Sequence, residues 1–142
     1  MNAVEISRSA LDVEWRRLEI SAQNLANINT TRTADGGAYQ PMRLLSGPAM
    51  SFETMLGERS VALAPQGVTV LGLEPMAEAQ RRSFEPTHPH ADADGFVTYP
   101  NVDHAGEMTL MIRAARAYEA NLAAISIAQD MYSRALDIGR QS

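Results

Sequence analysis

The chain of 142 residues contains no cysteine. That excludes thiol catalysis, disulfides, CxxC redox centres and cysteine-ligated zinc. It also contains no lysine, since all 12 basic residues are arginine. A phosphate-loop lysine, a Schiff-base lysine and a Ser-Lys pair are excluded with it. Histidine occurs only at His88, His90 and His104. Aromatic residues make up 6%, so any core is aliphatic and rich in alanine. No apolar run approaches the roughly 20 residues that cross a bilayer, and the net charge of −5 argues against nucleic acid as the main partner. The first ten residues carry Glu5 and Arg8 and no apolar signal core. Export, if it occurs, is therefore expected without an ordinary cleaved signal.

What is present divides into two helical ends and an irregular middle. Residues 2–26 contain neither proline nor glycine. Val4, Leu11, Leu18 and Leu25 recur every seven residues, and Ile6, Val13 and Ile20 form a second series two positions away. Two positions turn a helix by about 200°, so the spacing predicts a helix buried on two nearly opposite sides. Either an ordinary domain or neighbours in an assembly would satisfy that pattern. Residues 106–138 read as one longer helix, with Gly139 expected to end it. One heptad series is Leu110, Ala117, Ala124, Met131 and Ile138; the adjoining one is Met111, Tyr118, Ile125 and Tyr132. Ala114, Ala128 and Ala135 permit close helix approach. A helix so long and so broadly apolar is hard to bury within one small domain, and sustained seven-residue spacing argues coiled-coil packing.

The middle holds all seven prolines. Extended structure is expected over Ala62–Leu73, Arg81–Glu85 and Phe96–Tyr99, with turns at Asp35-Gly36-Gly37 and Ala93-Asp94-Gly95. Ala49–Arg59 reads as a short helix or a loop. The fold class is thus mainly α with a small β-rich insertion. Residues 1–30 and 105–142 would form a discontinuous helical core, the two long helices pairing in antiparallel coiled-coil fashion. Residues 31–104 would form a linking and outer β-rich segment.

Few constellations offer chemistry. His88, His90, Asp92 and Asp94 are competent metal ligands by type, but their spacing fits neither a helical zinc site nor a calcium loop. They are expected to shape a rigid turn. No serine sits in a nucleophile context, and Arg81-Arg82 reads as a solvated pair. No enzyme activity, metal or cofactor is expected. Asn24 and Asn27 suit a helix end, where asparagine bonds local backbone. Asp103 is placed to cap the last helix, with Glu107 favourable in its first turn.

Several stretches together resemble the bacterial flagellar rod–hook axial family, in its proximal-rod branch. They are Ser21 to Asn27 (Ser-Ala-Gln-Asn-Leu-Ala-Asn), Phe84-Glu85-Pro86 through His88-Pro89 to Asp92-Ala93-Asp94-Gly95, Pro100-Asn101-Val102-Asp103, Glu107-Met108, Arg116 to Asn121 (Arg-Ala-Tyr-Glu-Ala-Asn), and Ala135 to Gly139. Order, spacing and length agree across the chain, while residues 40–80 match weakly. Many relatives follow the asparagine motif with Thr-Pro-Gly-Tyr-Arg; here Ile28 to Tyr39 is longer and lacks that proline. The resemblance implies a structural subunit of the basal-body rod, a hollow, helical tubular drive shaft that transmits torque and passes exported subunits. It implies assembly contacts at Val4, Leu11, Leu18, Leu25, Ile6, Val13, Ile20, Asn24 and Asn27 in the first helix. In the last helix it implies Leu110, Ala117, Tyr118, Asn121, Ala124, Ile125, Met131, Leu136 and Ile138. The implied partners are further copies of the chain, the rod proteins FlgB, FlgF and FlgG, the rod adaptor FliE, the flagellar type III export apparatus and a surrounding ring. The implied location is the periplasmic rod. The competing expectation from the residues alone is another helical secretion-apparatus or adaptor component without catalytic activity.

Overall fold

The computed structural model describes residues 3–49 and 67–140. In chain order they form helix α1 (Ala3–Ala26), strands β1 (Met42–Pro48), β2 (Val68–Pro75), β3 (Gln80–Phe84) and β4 (Phe96–Pro100), and helix α2 (His104–Arg140). The expected extension at Ala62–Gln66, and all of Ala49–Arg59 beyond Ala49, lie outside the described residues.

The two helices pack along each other and run antiparallel. Asn24, near the end of α1, bonds Glu107 in the first turn of α2. Trp15 meets Tyr118 with ring centroids 6.2 Å apart. Ala3 and Val4 border the same groove as Ala128 and Tyr132. The seam of α2 toward α1 reads Glu107, Met111, Ala114, Tyr118, Asn121, Ile125, Ala128, Tyr132, Ala135, alternating four and three positions without a break. Up to Ala128 these residues are buried or half-buried, and Ala114 is only 1% exposed. Close approach is therefore made at Ala114, in the set of small residues with Ala128 and Ala135, while Leu110, Ala124, Met131 and Ile138 of the first series are exposed. Since α1 has 24 residues and α2 has 37, α2 outruns its partner. The last 12 residues, Gln129–Arg140, extend roughly 18 Å past the point where Ala3 begins α1.

Gly139 does not end α2, which continues through it to Arg140. Glycine permits a left-handed stop but does not impose one; at Gly139 φ stays out of that region, unlike Gly36 (φ 90°) and Gly95 (φ 82°).

β1 and β2 pair antiparallel, with Leu44 opposite Leu73 and Ser46 opposite Val70. Leu71 is the extra residue of a bulge, and its side chain lies over Gly47, where a Cβ would fall 3.1 Å from Leu71 Cδ1. A lone two-stranded hairpin is marginal in water, so this one needs a support. It finds one on α1. Ser9, Arg17 and Asn24, spaced eight and seven residues apart, reach the Val68 amide, the Ser46 hydroxyl and the Met42 backbone respectively. These three share the side of α1 that carries Val13 and Ile20, both buried. Trp15 and Val4 lie toward α2. Each side of the first helix thus has a neighbour inside the chain, with Val4, Leu11, Leu18 and Leu25 left half-buried and Trp15 exposed.

β3 and β4 pair antiparallel from Gln80↔Pro100 to Phe84↔Phe96. Their core is small: Val97 is fully buried, with Ala79, Pro41 and Pro100 also buried. The expected strands at Arg81–Glu85 and Phe96–Tyr99 correspond to this pair within a residue.

Candidate functional site

The polar centre of the molecule is Asn24, 1% exposed. Its Nδ2 donates to the Met42 carbonyl at 2.8 Å and to Glu107 Oε1 at 3.1 Å. Its Oδ1 accepts from the Met42 amide and from the Tyr39 hydroxyl, both at 3.1 Å. Two donors and two acceptor sites are all that an amide side chain offers, so Asn24 is saturated. It ties α1, α2, β1 and the segment carrying Tyr39 at one point. This corrects the expectation that Asn24 serves its own helix end. Asn27 does so, its Nδ2 donating to the Gln23 carbonyl.

Glu107 stands in the first turn of α2 as expected, but it is also buried. It is 4% exposed, and its Oε2 has no partner among the described residues. A buried carboxylate with one free oxygen costs stability, and its position is held by Asn24. Burial, and secondarily the charge of Glu107, push the Tyr39 phenol above its ordinary pKa. Asp103 precedes α2 as expected, its carbonyl accepting the Glu107 amide at 2.9 Å. A Cβ at Gly106 would fall 2.6 Å from Asp103 Oδ2, so a larger residue there would make the Asp103 side chain shift.

The histidine–aspartate stretch is a folded turn. Asp92 Oδ1 accepts the amides of Asp94 and Phe96, at 3.0 and 2.8 Å. Chiefly the Phe96 bond, helped by Arg82 and the Asp94 amide against some desolvation, holds its carboxyl below the usual range. The His90 amide donates to His88 Nδ1, and His90 Nδ1 pairs with the Thr31 hydroxyl at 2.8 Å. That last contact joins the turn after α1 to the β3–β4 turn. Among the described residues no three His, Cys, Asp or Glu side chains converge to hold a metal. Arg81 and Arg82 are not merely solvated. Arg81 lies over the Tyr99 ring at 4.8 Å and Arg82 over Phe96 at 4.6 Å, while Arg82 also pairs with Asp92.

The residues expected at assembly contacts fall into three groups. Val13, Ile20 and Asn24 are buried within the chain. Val4, Ile6, Leu11, Leu18, Leu25, Asn27, Ala117, Tyr118, Asn121 and Ile125 are half-buried. Leu110, Ala124, Met131, Leu136 and Ile138 are exposed on α2 and remain open to another molecule. Sequence reasoning passed over Met108, Ile112 and Ile127, also exposed. No helix among the described residues is long and apolar enough to cross a membrane. The arrangement offers packing surface and a rigid polar joint.

Comparison with known proteins agrees with this picture. Residues 93–138 match the family model described as the flagellar basal body rod FlgEFG protein C-terminal region. Over nearly its whole length the chain is similar to proteins named flagellar basal-body rod protein FlgC. That of Bacillus subtilis is 32% identical over 146 residues, covering 98% of this chain and 97% of the relative. That of Salmonella typhimurium is 31% identical, covering 99% and 98%. That of Borreliella burgdorferi is 30% identical, covering 96% and 95%.

Proposed function

Because the chain belongs to the FlgC family of flagellar basal-body rod proteins and is a structural subunit of that rod, we propose that its exposed α2 surface is the bonding face through which it polymerises. The observation that carries this reading is the set of apolar side chains on α2 left outside the α1 seam: Met108, Ile112, Leu122, Ile127, Met131 and Ile138. A monomer gains nothing from them, and an exposed apolar surface of this extent marks an interaction site.

In the assembled state, residues 1–30 and 105–142 form the inner helical core of a hollow tube. Residues 31–104 link and cover it. The subunit works without catalysis, in the periplasmic part of the basal body. Its neighbours are copies of itself, FlgB, FlgF, FlgG and the adaptor FliE, and it arrives through the flagellar type III export apparatus. The half-buried residues of α1 serve the intramolecular pair first, so the assembly contacts named for α2 carry most of the intersubunit bonding.

The test is a strain lacking its own FlgC, supplied with this chain carrying an epitope in the 86–95 turn. Restored swimming, with label on the rod of purified basal bodies, is the expected result. Secreted chain that never enters basal bodies would favour an adaptor role and overturn the proposal.

A further inference from the structure

α2 carries two apolar stripes with no partner among the described residues. The first is the overhang. Ala114 and Tyr118 recur two heptads later as Ala128 and Tyr132, in an unbroken four–three seam. Tyr118 packs against Trp15 of α1; Tyr132 borders a groove at the very start of α1, with Ala3 and Val4, and is 69% exposed, with Leu136 beside it at 53%. The seam thus continues an established helix–helix interface beyond the end of its partner, along a groove of about 930 Å³ bordered by Ala3, Val4, Ala128, Met131 and Tyr132.

The second stripe lies in the first half of α2, one position on from the α1 seam and so about 100° round the helix. Met108, Ile112, Ala115, Glu119 and Leu122 follow the same four–three spacing. Met108, Ile112 and Leu122 are exposed. Its span of 15 residues is roughly 22 Å, close to the 18 Å of the overhang. Glu119 is its one charged member, and Arg140 flanks the overhang seam. Neither forms an ion pair among the described residues.

We propose that the overhang of one copy docks against the Met108–Leu122 stripe of a second copy, with Glu119 of one facing Arg140 of the other. The two surfaces differ, so the contact is head-to-tail and leaves both ends open. Repeated, it builds a filament instead of a closed dimer. Two overhangs pairing with each other about a two-fold axis would bury the same tyrosines but would terminate growth. The choice of the open contact rests on the rod reading above.

The absence of native cysteine makes the test direct. The full chain carrying both Ile112→Cys and Leu136→Cys is assembled into basal bodies and oxidised. The two positions lie about 36 Å apart on one helix, so they cannot join within a copy. The expected result is a ladder of covalent trimers and larger species, with each single variant remaining monomeric. Dimers from Leu136→Cys alone would establish the two-fold overlap and overturn the proposal. So would basal bodies that contain the chain but give no disulfide, as when the overhang meets a different rod protein. Whether the unsubstituted chain is in the rod is read separately, so the proposal can fail while the rod reading stands. Glu119→Arg should lower the ladder yield several-fold, and Arg140→Glu in the same chain should restore it. A loss without restoration would overturn the pairing.

Discussion

The first and last parts of α2 are written in the same code and meet different fates. Through Ala128 the four–three seam lies on α1 and is covered; from Gln129 onward the same spacing continues and is bare. Ala114 and Ala128, or Tyr118 and Tyr132, cannot be told apart by type or by place in the heptad. What separates them is the length of the other helix. A periodic apolar stripe states what a helix needs, and only the register of its partner states whether the chain itself supplies it.

That comparison can be broken where the covered part is most tightly specified. Asn24→Ala should cost about 3 kcal/mol, since it strands Glu107, Tyr39 and both polar groups of Met42 in a buried site. Asn27→Ala, which loses two exposed or half-buried bonds at the helix end, to Gln23 and Thr30, should cost only about 1 kcal/mol. Urea unfolding of both variants measures the contrast, and equal losses would show that Asn24 is no joint. Ala114→Leu should follow, at about 1–3 kcal/mol from overpacking. Ala135→Leu, on the same seam beyond α1, should change monomer stability by less than about 0.5 kcal/mol. If both destabilise alike, the overhang is covered in solution.

A smaller effect is expected from Tyr39. Its folded pKa is raised, so the folded state holds the phenolic proton more tightly than the unfolded chain does. Its contribution is complete below the ordinary tyrosine pKa of about 10 and is lost as pH rises through the folded value. Stability of the native chain should fall more steeply above pH 10 than that of Tyr39→Phe. Parallel curves would sink this assignment. The gentlest measurement is amide exchange on the monomer. Amides of Met111–Ile125 should be protected relative to those of Met131–Leu136, and uniform protection would erase the distinction between the two parts of α2.

Much of this was legible in the chain. Heptads without proline or glycine placed both helices, and Gly95 with Asp92 placed the turn whose left-handed glycine also makes room for Phe84. The antiparallel pairing followed from two apolar helices joined by a long middle. β1 escaped notice because Met-Arg-Leu-Leu-Ser-Gly-Pro neither alternates cleanly nor stands alone; it exists through β2 and a bulge. The role of Asn24 escaped because its partners lie 15, 18 and 83 residues away, beyond any local pattern. The burial of Glu107 escaped for the same reason: its place at the helix start was legible, its contact with Asn24, 83 residues away, was not. The outer stripe at Met108 and Ile112 escaped because α2 is apolar over most of its circumference, and which side would be left over depended on where α1 came to rest.

The joint at Asn24 has a mechanical consequence. Its amide and the Met42 backbone exchange two hydrogen bonds, so the hairpin is fastened to α1 by a closed two-bond ring. A shear that slides the hairpin along the helix must break both bonds together, because neither can stretch far while the other holds. The Glu107 bond opposes the same slip from α2. Twisting force applied to the β1–β2 hairpin therefore passes into α1 along its Ser9–Arg17–Asn24 side, and through Asn24 and Glu107 into α2 close to the end where the helices are flush.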